Sequence, residues 1–261
     1  MKKTKYKVII GICVMILVLS AGILYLKWRR ESNQERRFRE LSSMKIETES
    51  EELMEEKESI PENHYNWEAL KKENEHIYAW VMVPNTNVDY PVFQHPTDDT
   101  YYLNHNMDGS TGYPGCIYSE ATYNKTDLSD YHTVLYGHNM KNGTMFQTLR
   151  NFQDKDFFDE NRYFYVFTPS GTYVYEIFAA YTGTNKHLMT NYYNEAYLEY
   201  AISTAERTGL SREDVLVDDE RRILTLSTCV GNTGEKRYLV SGILIAVNDM
   251  EQNSVLKGEK E

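Results

Sequence analysis

The sequence predicts a mainly β domain of about 200 residues, enough for a single substantial core, behind an apolar N-terminal segment. Two observations carry this. Short apolar and aromatic runs are repeatedly cut by turn residues, and the composition is rich in tyrosine, with 22 Tyr among 261 residues. Aromatic residues favour pleated, half-buried surfaces. Many short strands with few helices point to a barrel or a sandwich.

Residues 8–26 form an uncharged run of 19 residues preceded by Lys2, Lys3, Lys5 and Lys7. At 1.5 Å per residue it is long enough to cross most of a bilayer core. A signal peptide cleaved near Ser20-Ala21-Gly22 is the competing reading. The apolar stretch continues through Ile23, Leu24, Tyr25 and Leu26, which favours an uncleaved signal anchor. Residues 1–7 precede the span. Basic residues also follow the span, at Lys27, Arg29, Arg30, Arg36, Arg37 and Arg39, so flanking charge alone does not orient it.

Residues 27–62 show little apolar periodicity. Their acidic run from Glu47 to Glu58 reads as a solvated linker. A compact domain is expected over 63–248, with a polar tail at 249–261. Order begins at Asn66, a candidate N-cap, with Trp67, Leu70 and Ile77 on one helical face. Strands are expected over 80–83, 88–93 and 133–136, with a hairpin over 163–167 and 172–181. A helix over 194–207, capped by Asn194, turns Tyr197, Leu198, Ala201, Ile202 and Ala205 inward. Two strands, 223–228 and 237–247, complete the domain.

The net charge of −11 argues against a nucleic-acid binder, which needs a basic face. The spacing of Cys and His matches no structural zinc site. No metal or other cofactor is expected. Cys116 and Cys229 are the two cysteines outside the apolar run, and a disulfide between them stays open.

The chemistry gathers at strand ends. A strand runs through Tyr136 and Gly137 into His138; another runs through Ser227 and Thr228 into Cys229, and Arg237 opens the next. A thiolate attacks acyl carbons, and a neighbouring imidazole moves the proton. A guanidinium keeps its proton, so it serves as a donor to oxyanion charge rather than as a base. Cys116 lacks such a context and reads as structural; His132, on the same strand as His138, is the rival histidine.

With these residues in place, the chain closely resembles the sortases, class B in particular. The resemblance rests on Leu226-Ser227-Thr228-Cys229 with Arg237, on Tyr136-Gly137-His138 and the stretch to Phe146, on residues 80–94, and on Tyr101-Tyr102-Leu103. It covers roughly residues 65–247. It implies a closed eight-stranded β-barrel with N-terminal helices and a helix inserted before the Cys-bearing strand. It further implies a single-pass membrane protein with its catalytic domain outside the cytoplasm. The implied reaction cleaves an Asn-Pro-x-Thr-like C-terminal sorting signal of surface proteins and passes the acyl group to a peptidoglycan precursor or another wall amine. Leu103, Tyr136, Ser227 and Thr228 are implied to line the signal groove. Asp99 stands where some class B members carry Asn. The alternatives are an inactive, membrane-tethered peptide-binding module and a Cys-dependent cell-wall peptidase.

Overall fold

The computed structural model of the protein describes residues 2–44, 60–184, 195–215, 221–231 and 235–249. The strands are β1 Ile77–Met82, β2 Asp89–Phe93, β3 Ile117–Tyr118, β4 His132–Gly137, β5 Tyr163–Thr168, β6 Gly171–Thr184, β7 Gly209–Ser211, β8 Ile223–Cys229 and β9 Lys236–Asp249. They form one sheet in the order β5-β1-β2-β3-β4-β8-β9-β6-β7, and β5 also pairs with β6. That extra pairing closes eight strands into a barrel and leaves β7 as a ninth strand outside it. The fourteen-residue β6 makes both pairings possible. Residues 171–176 pair with β5, and Ala179, Ala180 and Tyr181 pair with β7.

Two neighbours, β2 with β3 and β4 with β8, run parallel; the other pairings are antiparallel. The parallel β4–β8 pair lies in the middle of the sheet order, and Ile223 to Thr228 is buried without interruption. A strand buried on both faces needs a continuous apolar run rather than alternation, as the sequence Ile-Leu-Thr-Leu supplies. Thr225 is tolerated there because its hydroxyl bonds Ser241 Oγ at 2.9 Å and Tyr197 OH at 2.8 Å. Aromatic side chains fill the interior, with Phe164 stacked on Tyr175 at 5.1 Å.

The helix α1, Lys2–Ser42, runs unbroken past the apolar segment. Residues 27–42, expected within a linker, are helical. Gln34, Phe38 and Leu41 are buried, at the spacing of one helical face. Phe38 meets Tyr90 edge-on at 5.5 Å, and Tyr90 OH donates to Glu35 Oε1 at 3.2 Å. This stripe is thin and flanked by charge, including the Lys27–Glu31 and Arg36–Glu40 pairs, which masks it in the sequence. The acidic run at Glu47–Glu58, the tail from residue 250, Asn194 and His187 lie outside the described residues.

The helix α2, Trp67–Glu73, starts as expected, with the Asn66 side chain accepting from Ala69 N. It stops before Ile77, which opens β1 instead of joining the helical face. Asn74 ends the helix: it leaves helical geometry while Asn74 Oδ1 accepts from His76 N at 2.9 Å. Three short helical pieces were not anticipated, α3 Tyr101–Asn104, a 3-10 turn over Gln147–Gln153 and α4 Lys155–Glu160, nor were the short strands β3 and β7. The inserted helix α5, Glu195–Thr208, buries Tyr197, Leu198, Ala201 and Ala205 as expected, chiefly against β6.

Candidate active site

The register of three strands assembles the site. Because β4 and β8 are parallel, their C-terminal ends emerge at the same end of the barrel. Gly137 is the partner of Thr228, so His138 and Cys229 each follow a paired position on neighbouring strands. The antiparallel β9 then returns with Arg237 directly opposite Cys229. Asn139 locks the two parallel ends together, its Nδ2 donating to the Cys229 carbonyl at 2.9 Å. Gly137 is required by space: a Cβ there would stand 2.5 Å from Ile117 Cδ1 and 2.7 Å from the Phe146 ring. Any side chain would push β4 away just before His138.

Arg237 Nη1 donates to Cys229 Sγ at 2.5 Å, and Cys229 is partly exposed. His138 Nε2 stands 2.8 Å from the Leu103 carbonyl. A carbonyl only accepts, so Nε2 carries the proton, and in the neutral ring Nδ1 is the basic nitrogen. The ring packs on Tyr113, with centroids 4.9 Å apart. Burial lowers the His138 pKa below its ordinary value; the Leu103 bond opposes this, and the Arg237 charge adds to it. Burial and the Arg237 charge thus favour the neutral imidazole over the imidazolium.

Of the residues expected in the signal groove, Leu103 is partly exposed and supplies the carbonyl that orients His138. Tyr136, Ser227 and Thr228 are buried in the barrel wall, with Tyr136 and Ser227 as strand partners. Tyr136 stacks on Tyr118 at 5.4 Å and donates to Glu120 Oε2 at 3.3 Å. Glu120 is itself buried and is pushed up to about 7, first by burial and then by Asp99; the Tyr136 bond and Arg237 oppose the shift. Asp99 Oδ1 accepts from Thr122 N at 3.1 Å.

The rival residues sit elsewhere. His132 keeps an edge at the surface, yet its ring stacks on Tyr197 at 3.9 Å and its Nε2 bonds Thr225 Oγ1 at 2.9 Å. Desolvation there pushes it down to about 3, a neutral packing residue. Cys116 is fully buried, and burial raises its thiol pKa. Both cysteines are free, which closes the question of a disulfide between them. Sequence reasoning missed Asn139, Glu120 and Tyr113. Asn139 carried a visible signal, directly following His138 at a strand end; the other two reach the site through loops that no local pattern announces.

Residues 81–245, well over half of the chain, match the family model described as the sortase domain. The chain belongs to the sortase family. Curated relatives are both sortase B. The Listeria monocytogenes protein is 33% identical over 61% of this chain and 65% of its own length, just under two thirds of it. The Staphylococcus aureus protein is 27% identical over 95% of this chain and 100% of its own. The crystal structure of Clostridium perfringens sortase B superposes with a TM-score of 0.61 at 30% identity, covering 69% of this chain and 100% of that one. Sortases are cysteine transpeptidases, and the closed eight-stranded barrel with one extra strand and N-terminal helices is the sortase B architecture.

Proposed function

We propose that the protein is a membrane-anchored class B transpeptidase that uses Cys229 as nucleophile, His138 as acid/base and Arg237 as oxyanion donor. The observation that carries this reading is the cross-strand pair of Cys229 and Arg237, with guanidinium N–H on sulfur. In the first half-reaction His138 Nδ1 takes the thiol proton as sulfur attacks the carbonyl carbon of the Thr in the sorting signal. The oxyanion forms within reach of the remaining Arg237 donors. The C–N bond breaks, and the imidazolium returns its proton to the leaving amine. The resulting thioester is attacked by a wall amine, such as that of a peptidoglycan precursor. His138 takes the amine proton, a new amide forms, and the Cys229 thiol is regenerated.

The substrates are surface proteins with an Asn-Pro-x-Thr-like C-terminal signal; of the four residues expected to line its groove, the partly exposed Leu103 can meet it, while Tyr136, Ser227 and Thr228 are buried and back the groove from within the barrel wall. Residues 8–26 hold the protein in the membrane as a single span, with the barrel outside. Support for the anchor comes from the exposed apolar face of α1, uncharged through this stretch.

Mass spectrometry of products tests the assignment. Incubation with a library of Asn-Pro-x-Thr peptides and a free amine is expected to yield amine-capped peptide cut after Thr. Hydrolysed peptide alone, whatever the amine, indicates a wall peptidase. No product from any peptide indicates a binding module.

A further inference from the structure

A cavity of about 550 Å³ lies between α1 and the loop that follows His138. Leu24, Lys27, Trp28 and Glu31 line it from the helix; Tyr113, Asn139 and Lys141 line it from the barrel. It straddles the end of the apolar run, which stops at Leu26. Its inner wall is made by neighbours of the proposed catalytic residues, Tyr113 and Asn139. The Lys27 ammonium stands over the Tyr113 ring at 5.7 Å, Tyr113 packs on His138, and Asn139 donates to the Cys229 carbonyl.

We propose that this cavity binds the phosphate headgroup of an anionic membrane phospholipid, so that the barrel is held with its Cys229 end against the bilayer. This inference rests on the membrane-anchor reading of α1. Three features favour that occupant. Leu24 and Trp28 are exposed large apolar side chains at the membrane end, and Tyr25 and Trp28 lie with ring centroids 6.1 Å apart, as aromatic residues do at headgroup level. Lys27 and Lys141 both line it, one on the anchor and one on the barrel, and Glu31 is the one acidic residue in that lining. Lys27 is 3.9 Å from Glu31, a long contact that leaves its charge available to an anion. A headgroup phosphate bridging the two lysines would join helix to barrel, and the acyl chains would run down beside Leu24.

Juxtamembrane basic residues attract anionic lipid without any site, so the test turns on Lys141, which is on the barrel. The full chain is reconstituted in phosphatidylcholine nanodiscs doped with phosphatidylglycerol, and the lipid retained on release is counted by native mass spectrometry. Lys141→Glu is expected to lower phosphatidylglycerol retention by roughly fivefold or more, given about 1 kcal/mol per basic residue near an anionic surface. Lys125→Glu, an equally exposed charge reversal outside the cavity, is expected to retain lipid like the parent. Equal retention by the parent and Lys141→Glu overturns the proposal, and equal losses in both variants reduce it to a diffuse field. Displacement of the lipid by millimolar inorganic phosphate overturns it in favour of a free-anion site. Release of the chain from membranes by alkaline washing overturns the anchor reading, and the headgroup site falls with it.

Discussion

Replacing Arg237 by lysine conserves charge and changes geometry, which makes it a sharp probe of the site. Arg237 faces Cys229 across an antiparallel pair, and Nη1 is already engaged by the sulfur. The same rigid plane carries the remaining N–H groups, so one guanidinium can hold the sulfur and receive the oxyanion together. A lysine ammonium at the same Cα has a single nitrogen, which must leave one of the two. The loss therefore resembles removal of one preorganised oxyanion donor, about 10²–10³-fold in kcat, or about 2.7–4 kcal/mol. KM should change little, because the missing contact is made chiefly in the transition state. Steady-state cleavage of the best signal peptide measures this, and iodoacetamide alkylation of Cys229 separately reports the intrinsic reactivity of the thiol. Turnover within about threefold of the parent would refute the forked-donor argument and leave Arg237 as a diffuse positive field.

Gly137→Ala should cost about 1–3 kcal/mol of stability through contact with Ile117 and Phe146. It should lower kcat by about 100-fold by displacing His138; normal kcat in a folded variant would show that β4 does not set the histidine position. Phe38→Ala should lower unfolding stability in urea by about 3 kcal/mol, since Phe38 is buried against Tyr90; an unchanged midpoint would mean that the helix does not dock in solution. His132, with its folded pKa pushed down to about 3, contributes stability that is fully present above pH 6.5 and lost as pH falls toward 3. Glu120, raised to about 7, acts in the opposite direction, gaining stability as pH falls from 7 toward 4.5. The comparison of parent with His132→Gln isolates the histidine: the parent should lose on the order of 1–2 kcal/mol more than the variant between pH 7.5 and pH 5, by thermal unfolding. Parallel pH curves would place His132 in a solvated setting.

The strands were legible where apolar runs were long, as in β4, β8, β9 and the β5–β6 hairpin. They were not legible in β3 and β7, whose two and three residues are held by neighbouring strands and carry no periodicity of their own. Ile77 fitted a helical spacing from Leu70, but the Asn74 side chain accepts from the His76 backbone N–H and ends the helix first. The docking face of α1 was hidden because three buried positions sit among charged ones, and burial there depends on a barrel surface formed far away in sequence. Cys229 and Arg237 could be paired by sequence proximity across one turn. His138 joins them only because β4 and β8 are parallel and in register, a long-range fact with no local signature. Nothing in the local sequence marks Glu120, and only the tertiary fold buries it beside Tyr136.

The central claim is that acyl transfer passes through Cys229. Rapid acid quench of the full chain with a signal peptide, followed by peptide mapping in the mass spectrometer, tests it most directly. The account predicts a thioester carrying the peptide through Thr on the fragment containing Cys229. That adduct should disappear on adding an amine and be absent in a folded Cys229→Ala variant. Product formation by Cys229→Ala, or an acyl group on Cys116 or any other residue, would contradict it.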